Sequence, residues 1–364
     1  MSSSAEDSTA ALRPGADQPL YQPFGIRVAK SARGPVAVTE EVLHVTPFHA
    51  LRQFGLAGHP GAPRVLLVPP LSGHLPVILR DLVLGLLGAG MGVTVIDWAN
   101  LRHVEIGHGT FGFDDNIGTI VDAVLHVGPG THLVALCQGG VPALAASADL
   151  AAHLPGSEPA SLVLLAAPVD PLANPTPLVQ LLRERPASWY RSVPLSRVPE
   201  AHAGHRRWVY AAETQLAALT RYLERELEAG TELARKMRED DGADPLRFPF
   251  RDLYGAVMDL DARIFAENID HVFLSRDIAV GTLEFRGRRI DPAALRHTRL
   301  ITVEGAEDEI AAPGQTSAAH ALCTGLARRE EHTLVIPGCG HFGLFHGRLC
   351  RESLCPTLAA LMHT

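Results

Sequence analysis

One cysteine sits where an apolar, strand-like run turns sharply into a helix. The segment from Thr131 to Ala146 reads THLVALCQGGVPALAA, in which the apolar run breaks at Cys137 and resumes at helical spacing after Gly140. This pattern predicts a strand, a tight turn and a helix, with the sulfur at the tip of the turn. The small Gly139 lets the helix start close against the strand, and the strained turn pushes the cysteine into the open. The segment therefore predicts a nucleophile.

The turn around Cys137 departs by one methyl group from the usual G-x-S-x-G form of a nucleophile turn. Ala135 stands where the first glycine is usual, and cysteine takes the place of serine. The alternative interpretation is a buried cysteine on a parallel strand, since free cysteine is among the most buried residue types. This segment alone leaves both interpretations open.

Two later loops supply the partners that a nucleophilic cysteine needs. Only the thiolate is nucleophilic, so a base must lie within hydrogen-bond reach, and an acid must orient that base. Asp308 follows the predicted strand TRLITVEG, and His341 follows the predicted strand HTLVIP. The order nucleophile, acid, histidine is the one found in hydrolases with such a turn. The pattern predicts a catalytic triad of Cys137, Asp308 and His341.

Other residues compete for two of these roles. Glu307 and Glu309 flank the aspartate, and Asp170 follows an earlier strand, so each is an alternative acid. Of the 18 histidines, only His341 has the Gly-x-Gly-His context after a late strand. Cys339 lies two residues before that histidine, and we expect it to pack there rather than react.

Backbone donors near the cysteine are expected to form an oxyanion hole, which needs two N–H groups aimed at the developing negative charge. One is the N–H of Gln138, and the other comes from Leu71 or Ser72 in the turn PPLSGH. His74 in the same turn is a candidate pocket residue, with a helix start as the alternative. Trp98 ends another strand and is either a wall of the pocket or a core aromatic residue.

Apolar runs alternate with helical patterns through the first half of the chain. Strand-like runs begin at Arg64, Gly92, Thr131 and Ser161. Near-continuous apolar runs are typical of parallel strands covered on both faces. Successive units of this kind predict a right-handed, mostly parallel sheet with its sites at the carboxyl ends of the strands. Together with the cysteine turn they predict an α/β-hydrolase, a doubly wound sheet with a helical cap insertion.

The alternation stops partway along the chain and resumes near its C-terminus. We divide the sequence into a disordered tail at 1–20, a first part of the core at 21–170, a helical cap at 171–295 and a second part of the core at 296–364. The tail is rich in Ser, Ala and Pro, a composition typical of disorder. The charged stretch from Thr214 to Asp240, within the cap, is interpreted as a solvated helix face.

The composition argues against several classes of function. A net charge of −8 without any long basic run argues against a nucleic-acid partner. The five cysteines lack CxxC spacing, which argues against a disulfide framework or a zinc site and is compatible with a reducing cytoplasm. The N-terminus lacks the pattern of an export signal, and no apolar run reaches the roughly 18 residues of a spanning helix. No metal or organic cofactor is implied.

Seven short sequence motifs between Pro69 and Gly343 together resemble those of one known family. They are PPLSGH from Pro69, DW at Asp97, LCQ at Leu136, VMDL from Val257, VEG from Val303 with Asp308, GQT from Gly314 and GHFG from Gly340. From about Tyr21 to the C-terminus the chain resembles the intracellular polyhydroxybutyrate depolymerases. In that family a Cys-Asp-His triad hydrolyses the polyester of 3-hydroxybutyrate stored in cytoplasmic granules. The resemblance implies that Cys137, Asp308 and His341 are this triad.

Two features depart from the family's pattern. The family usually has proline after Cys-Gln, where this chain has Gly139 and Gly140, and it usually has glycines near Ala166 and Ala167. The Cys-Gln-Gly-Gly turn looks more like that of polyhydroxyalkanoate synthases, which share the fold and the triad. The alternative function is therefore a synthase or a CoA-dependent acyltransferase, while the PPLSGH turn and the cap segments favour the depolymerase.

The resemblance implies hydrolysis of ester bonds in poly(3-hydroxybutyrate) or a related short-chain polyhydroxyalkanoate through a cysteinyl acyl-enzyme. It also implies a cytoplasmic protein whose partner is a polyhydroxyalkanoate granule or oligomer. A third, non-enzymatic interpretation is a granule-bound protein with a vestigial triad. Because the polymer is apolar and insoluble, we expect part of the cap to present exposed hydrophobic or aromatic residues.

Overall fold

The computed structural model describes residues 24–31, 34–59, 61–71, 79–229 and 257–363. The predicted tail at 1–20 lies outside the described residues, and so do Ser72 and His74.

The described strands cover both halves of the predicted core. In chain order they are β1 Val28–Ser31, β2 Gly34–Val45, β3 His49–Leu56, β4 Arg64–Val68, β5 Gly92–Trp98, β6 His132–Leu136, β7 Ser161–Leu165, β8 Ser196–Arg197, β9 Trp208–Tyr210, β10 Leu260–Asp261, β11 Glu284–Phe285, β12 Arg288–Arg289, β13 Arg299–Gly305 and β14 Glu331–Ile336.

The described α-helices alternate with these strands in the core and cluster between β7 and β13. They are α1 Arg80–Gly88, α2 Phe113–Val127, α3 Gly140–His153, α4 Pro177–Arg183, α5 Ala187–Tyr190, α6 Ala212–Ala229, α7 Ala262–Asn268, α8 Asp277–Val280, α9 Ala319–Leu322, α10 Gly347–Leu349 and α11 Cys355–His363. None of these described helices combines the length and the apolar character that crossing a membrane requires.

The main sheet has the strand order β1, β2, β3, β5, β4, β6, β7, β13, β14. From β5 to β14 every neighbouring pair is parallel. The strands β1, β2 and β3 extend one edge in antiparallel pairing. The sheet confirms the predicted mostly parallel architecture, and β2 forms a hairpin with the edge strand β1.

Helices cover both faces of this sheet, because alternate residues of each parallel strand bury against different helices. Leu66 and Val68 of β4 belong to the same hydrophobic cluster as residues of α2 and α3. Val65 and Leu67 of β4 belong to the cluster of α1 and α11. Burying each such aliphatic side chain contributes about 1.5–3 kcal/mol. The parallel strands are therefore apolar at most positions, as a sheet covered on both faces requires.

The parallel strands all end at the same edge of the sheet. The loops that follow β4, β5, β6, β13 and β14 therefore meet there. Such a carboxyl edge is where open α/β sheets place their sites.

An insertion leaves the sheet after β7 and returns in β13, the adjacent strand. Its described part carries the helices α4 to α8, a small sheet of β8, β9 and β10, and the hairpin of β11 and β12. This is the segment for which the sequence predicts a helical cap. Short strands accompany the helices, and the cap boundaries at 171–295 stay a prediction.

Ion pairs join this insertion to the core. Arg102, in the loop after β5, donates from Nε to the Oδ2 atom of Asp259 at 3.1 Å, and the aspartate is buried. Arg276 forms a two-point contact with Asp170 at 2.9 and 2.8 Å. Removing one partner of a buried pair typically costs about 3–5 kcal/mol, because the other charge is left without compensation. The Arg102 pair therefore holds the insertion firmly over the carboxyl edge.

Candidate active site

Cys137 lies at the tip of the turn between β6 and α3, as the sequence predicts. All five residues of β6 are buried, and the three residues from Cys137 to Gly139 form a 3-10 turn that leads into the helix. The backbone of Cys137 is left-handed, with φ at 47°. A non-glycine residue in this region stores strain of about 1–3 kcal/mol, which only the surrounding structure can hold in place. The strain turns the thiol away from the strand axis and leaves it half-buried.

The two glycines after the turn are required by close backbone contacts. A Cβ on Gly139 would lie 2.8 Å from the carbonyl oxygen of Pro69, at the end of β4. A Cβ on Gly140 would lie 2.3 Å from the Cβ of Ala167. Both distances are far shorter than real carbon contacts, so any side chain would push the helix away. The Gly-Gly pair thus lets α3 start directly against the ends of β4 and β7.

Asp308 lies in the loop after β13 and uses its two oxygens for two different tasks. Its Oδ1 atom accepts hydrogen bonds from the backbone N–H groups of Ile310 and Ala311, both at 2.8 Å. Its Oδ2 atom lies 2.8 Å from Nδ1 of His341. The carboxylate is buried. The loop therefore holds the carboxylate in one orientation, with one oxygen pointing at the histidine.

His341 connects the carboxylate to the thiol. The Nδ1 atom faces Asp308, and the ring also forms a hydrogen bond with the side chain of Cys137, which leaves Nε2 as the nitrogen on the thiol side. The rings of Phe342 and Phe345 pack edge-on against the imidazole at centroid distances of 5.3 and 5.4 Å. The imidazole is 3% exposed, so its orientation is set by packing as well as by its two partners.

The surroundings of His341 favour its charged form. Burial lowers the pKa of the imidazole, but the charge of Asp308, its hydrogen bond with the ring and the neighbouring side chain of Cys137 outweigh burial and raise the pKa of His341 well above its ordinary value. An imidazolium between a carboxylate and a sulfur is the arrangement that stabilises a thiolate.

The competing residues lie in different surroundings. Glu307 is exposed, and Glu309 is half-buried beside Asp308. Asp170 is engaged with Arg276 in the insertion. Cys339 is fully buried and donates its S–H to the carbonyl of Gly340 at 3.3 Å.

The turn after β4 lies against the turn that carries Cys137. The sequence predicts that these two turns supply the oxyanion donors. Pro69 and Pro70 have no N–H, so the N–H of Leu71 is the first backbone donor after the strand. The close contact between Gly139 and Pro69 sets Gln138 beside this turn. The positive end of the α3 dipole also points at the turn and favours negative charge there. The oxyanion role of Leu71 and Gln138 stays a prediction, and Ser72 and His74 lie outside the described residues.

Trp98 is packed as a core residue. It is 5% exposed and lies 5.6 Å from the ring of Phe111 and 6.1 Å from that of His49. Within the described part of the chain its Nε1 atom has no hydrogen-bond partner. Its role as a pocket wall stays a prediction.

Glu304 is a residue of this site that the sequence analysis did not single out. It is the penultimate residue of β13 and is 2% exposed. Its Oε1 atom accepts the backbone N–H groups of Gly314, Thr316 and Ser317, at 2.9, 2.9 and 2.8 Å. These bonds close the loop that carries Asp308. A carboxylate near the end of a largely apolar strand is the signal that could have revealed it.

We expect Glu304→Ala to loosen this loop. Three backbone N–H groups would lose their acceptor; that of Thr316 is buried, and those of Gly314 and Ser317 are half-buried. An unsatisfied buried group costs about 1–3 kcal/mol. Hydrogen exchange of the peptide covering 306–317 should become faster, and the free energy of unfolding should fall by at least that amount. Glu304→Gln keeps an acceptor oxygen and should restore most of the protection. Glu307→Ala, an exposed glutamate of the same loop, is the control; equal exchange in the Glu304→Ala and control variants would contradict this role.

No group of three or more His, Cys, Asp or Glu side chains within the described residues is arranged to hold a metal ion. The expectation that the protein needs no metal or cofactor stays a prediction.

Comparison with solved structures identifies the fold. The 2-hydroxy-6-oxo-6-phenylhexa-2,4-dienoate hydrolase of Rhodococcus sp. strain RHA1 is similar with a TM-score of 0.52 and 14% identity, over 90% of this chain and 100% of that chain. A hydrolase from Pseudomonas aeruginosa PA01 is similar with a TM-score of 0.51 and 15% identity, over 90% and 99% of the two chains. At these identities the likeness shows the fold alone, and it confirms the predicted α/β-hydrolase fold.

Comparison with sequences identifies the family. No curated protein matches the chain significantly. The sequence profile of the family described as "PHB de-polymerase C-terminus" matches residues 166–364, which include Asp308 and His341. Because this match covers more than half of the chain, the protein belongs to the PHB depolymerase C-terminus family, on an α/β-hydrolase fold.

Proposed function

We propose that this protein hydrolyses ester bonds in intracellular poly(3-hydroxybutyrate) or a related short-chain polyhydroxyalkanoate, with Cys137 as nucleophile. The observation that carries the proposal is the continuous hydrogen-bonded chain from Asp308 through His341 to Cys137, in a member of the PHB depolymerase family. The family and the α/β-hydrolase fold support a hydrolytic role. The protein would act in the cytoplasm, on granules or on oligomers released from them.

The first half of the reaction forms an acyl-enzyme. His341 accepts the proton of the Cys137 thiol, and the sulfur attacks the ester carbonyl carbon, so that a C–S bond forms. The N–H groups of Gln138 and Leu71 are the donors proposed for the resulting oxyanion. When the intermediate collapses, the ester C–O bond breaks and the departing alkoxide takes its proton from His341. A 3-hydroxyacyl thioester remains on Cys137.

The second half releases the acid. A water molecule gives a proton to His341 and attacks the thioester carbonyl, and the C–S bond breaks as the sulfur leaves. The proton returns to the sulfur from His341, so one ester and one water yield one acid and one alcohol. Asp308 keeps the imidazole oriented and stabilises its positive charge in both halves.

An acyltransferase is the second candidate, and the Gly139–Gly140 turn favours it. In that case the same thioester would pass its acyl group to the hydroxyl end of a growing polymer or to the thiol of CoA instead of to water. For thiolysis the thioester forms from the polymer ester as in hydrolysis, and only the acceptor differs. For synthesis the acyl donor is an acyl-CoA, whose C–S bond breaks as CoA leaves, so both the donor and the acceptor differ.

Incubation of the purified protein with native amorphous granules tests the proposal directly. We expect release of soluble 3-hydroxybutyrate that depends on the protein and is independent of added CoA. The same protein is then supplied with 3-hydroxybutyryl-CoA alone. Polymer formation from 3-hydroxybutyryl-CoA, without acid release from granules, would show that the protein is a synthase and not a hydrolase. Release of acyl-CoA that requires CoA would identify thiolysis.

A further inference from the structure

A surface cleft separate from the triad lies between the loop after β5 and the insertion. Its volume is about 260 Å³, and Ile106, Trp208 and Ala262 form its apolar lining. Arg206 and Arg263 also line it. Ile106 belongs to the loop that leaves the carboxyl edge of the sheet after β5, the same edge at which β6 ends in Cys137. The cleft therefore opens on the side of the molecule that carries the candidate active site.

Two large apolar side chains of the cleft face solvent. Trp208 is 50% exposed and Ile106 is 52% exposed. The guanidinium of Arg197 stacks over the Trp208 ring at 4.7 Å, which limits the motion of the ring while its other surface stays accessible. An ordered, exposed tryptophan in a concave site is a feature of binding surfaces, because it offers a large contact area at a low cost in conformational entropy.

The floor of the cleft is rigid, and its acceptors are occupied. Arg207 is buried and donates to the carbonyl oxygens of Val104, Glu105 and Gly109. It also donates to Asp261 at 3.2 Å.

Asp261 is saturated by further donors. It accepts the backbone N–H groups of Phe111 at 3.2 Å and Arg263 at 3.0 Å, in addition to the Arg207 guanidinium. The carboxylate is buried. The Asp261 carboxylate is therefore not available to accept hydrogen bonds from the hydroxyl groups of a ligand.

The rim, by contrast, offers donors. Arg206 is exposed and has no ion-pair partner among the residues that the structure describes. Arg263 is 48% exposed; its Nε atom pairs with Glu267 at 2.8 Å and a terminal nitrogen lies 3.9 Å from Asp115, and a guanidinium has five N–H donors in all. Arg206 therefore adds a positive charge at the rim of the cleft, on a chain of net charge −8.

We infer that this cleft binds a segment of the polyester chain outside the active site. The inference rests on the proposed function and extends it. A polyester of hydroxyalkanoates has only acceptor oxygens along its backbone, and apolar methyl and methylene groups between them. Trp208 and Ile106 match the apolar groups, and the guanidinium groups match the ester oxygens and the terminal carboxylate. Binding there would hold the insoluble polymer at the edge of the sheet where Cys137 lies.

Binding is measured by co-sedimentation with amorphous poly(3-hydroxybutyrate) particles, in a Cys137→Ala background that prevents turnover. Adding Trp208→Ala should weaken particle binding about tenfold, the effect typical of a central aromatic contact. Trp208→Phe keeps an aromatic ring and should retain most of the binding. Val280→Ala, on α8 of the insertion, is the control for Trp208→Ala, since Val280 is also a 50% exposed apolar residue and does not line the cleft.

Two outcomes would overturn the inference. One is particle binding that is equal in the Trp208→Ala and Val280→Ala variants. The other is particle binding that disappears with added salt and with Arg206→Gln but is unchanged by Trp208→Ala, which would show adsorption through charge alone. Melting temperatures within about 2 °C of the parent would confirm that each variant is folded.

Failure of this inference is distinguishable from failure of the proposed function. In the active protein, Trp208→Ala should reduce acid release from particles at least tenfold more than it reduces cleavage of a short soluble 3-hydroxybutyrate ester. Equal reductions on both substrates would overturn the cleft while leaving hydrolysis intact. Particle binding that depends on Trp208, without any ester cleavage, would overturn hydrolysis while leaving the cleft intact.

Discussion

Cys137→Ala is expected to lower kcat for ester hydrolysis by on the order of 10⁶, because loss of the nucleophile in a triad removes nearly all of the catalysis that the triad supplies. The remaining turnover would come from substrate binding and the oxyanion donors alone. The fold should persist, since alanine replaces a half-buried side chain at the tip of a turn whose close contacts are made by Gly139 and Gly140. Released 3-hydroxybutyrate and the melting temperature measure the two quantities separately.

Alkylation supplies an independent readout of the same residue. Iodoacetamide should label Cys137, which is half-buried beside His341, and spare Cys323, Cys339, Cys350 and Cys355, which are fully buried. Labelling should abolish activity in step with modification.

The matched control is Cys339→Ala, which removes a buried sulfur next to the histidine loop. It should cost some stability, as any deletion of buried volume does, while activity falls far less than in Cys137→Ala. Undiminished breakdown of granules by the Cys137→Ala protein would instead support the interpretation of a vestigial triad on a granule-bound protein.

The convergence of the three side chains follows from features that the sequence displays openly. The runs at β4, β5, β6 and β7 are apolar at nearly every position, and such runs form parallel strands covered on both faces. Parallel strands deliver their following loops to one edge. The residues at those loop starts, Cys137, Asp308 and His341, must then lie near each other whatever the separation along the chain.

The choice among neighbouring acids could not be made in the same way. Asp308 is distinguished from Glu307 and Glu309 by the backbone path of its loop, in which Ile310 and Ala311 turn their N–H groups toward one carboxylate oxygen. Local propensity does not specify such a path.

The path of the loop that carries Asp308 depends on the hydrogen bonds of Glu304. These bonds also explain why the helix after this loop is shorter than the apolar spacing of the sequence predicts. The apolar spacing predicts a helix from about Thr316 to Leu326, but the described α-helix covers only Ala319–Leu322. The N–H groups of Thr316 and Ser317 bond to Glu304, and the residues after them form turns with i to i+3 hydrogen bonds. A contact with a strand residue that precedes the loop thus overrides the local preference for helix.

The insertion was the least predictable part. Its strands β8, β9 and β10 are two or three residues long, too short for an alternating pattern to be visible. They are held by distant partners, such as Arg207 on Asp261 and Arg102 on Asp259. Pairings over such separations leave no periodic signal, so the sequence predicted a cap but not the cleft that it forms with the loop after β5.

Asp308→Asn is the second substitution with a large expected effect, a fall in kcat of about 10³ to 10⁴. Oδ1 is held by two backbone N–H groups, so asparagine should keep its oxygen there and turn its NH₂ group toward Nδ1 of His341. The imidazole would then carry its proton on Nε2, which faces the thiol, and could no longer accept the proton of Cys137. The substitution therefore changes the tautomer while leaving the loop in place.

The same substitution should move the pH dependence in a defined direction. Below its raised pKa, His341 is an imidazolium that can protonate the leaving alkoxide, and activity should fall as the pH rises through that pKa. Burial is the largest influence on the pKa of His341 and lowers it. The charge of Asp308 is the second largest influence and raises this pKa. Asparagine removes this charge, so the alkaline limb of the kcat/KM profile should shift to lower pH. The limb reports the coupled pair of His341 and Cys137 rather than either group alone.

Asp170→Asn is the matched control, because Asp170 is an alternative acid that lies after a neighbouring parallel strand and pairs with Arg276. It should weaken the attachment of the insertion and leave the alkaline limb where it is. A wild-type pH profile in the Asp308→Asn protein, with activity within about tenfold of the parent, would move the acid role to Glu307, Glu309 or Asp170. A fall in kcat together with a shifted limb cannot arise from loop disorder alone, since disorder lowers the rate at every pH without removing a single charge from the imidazole.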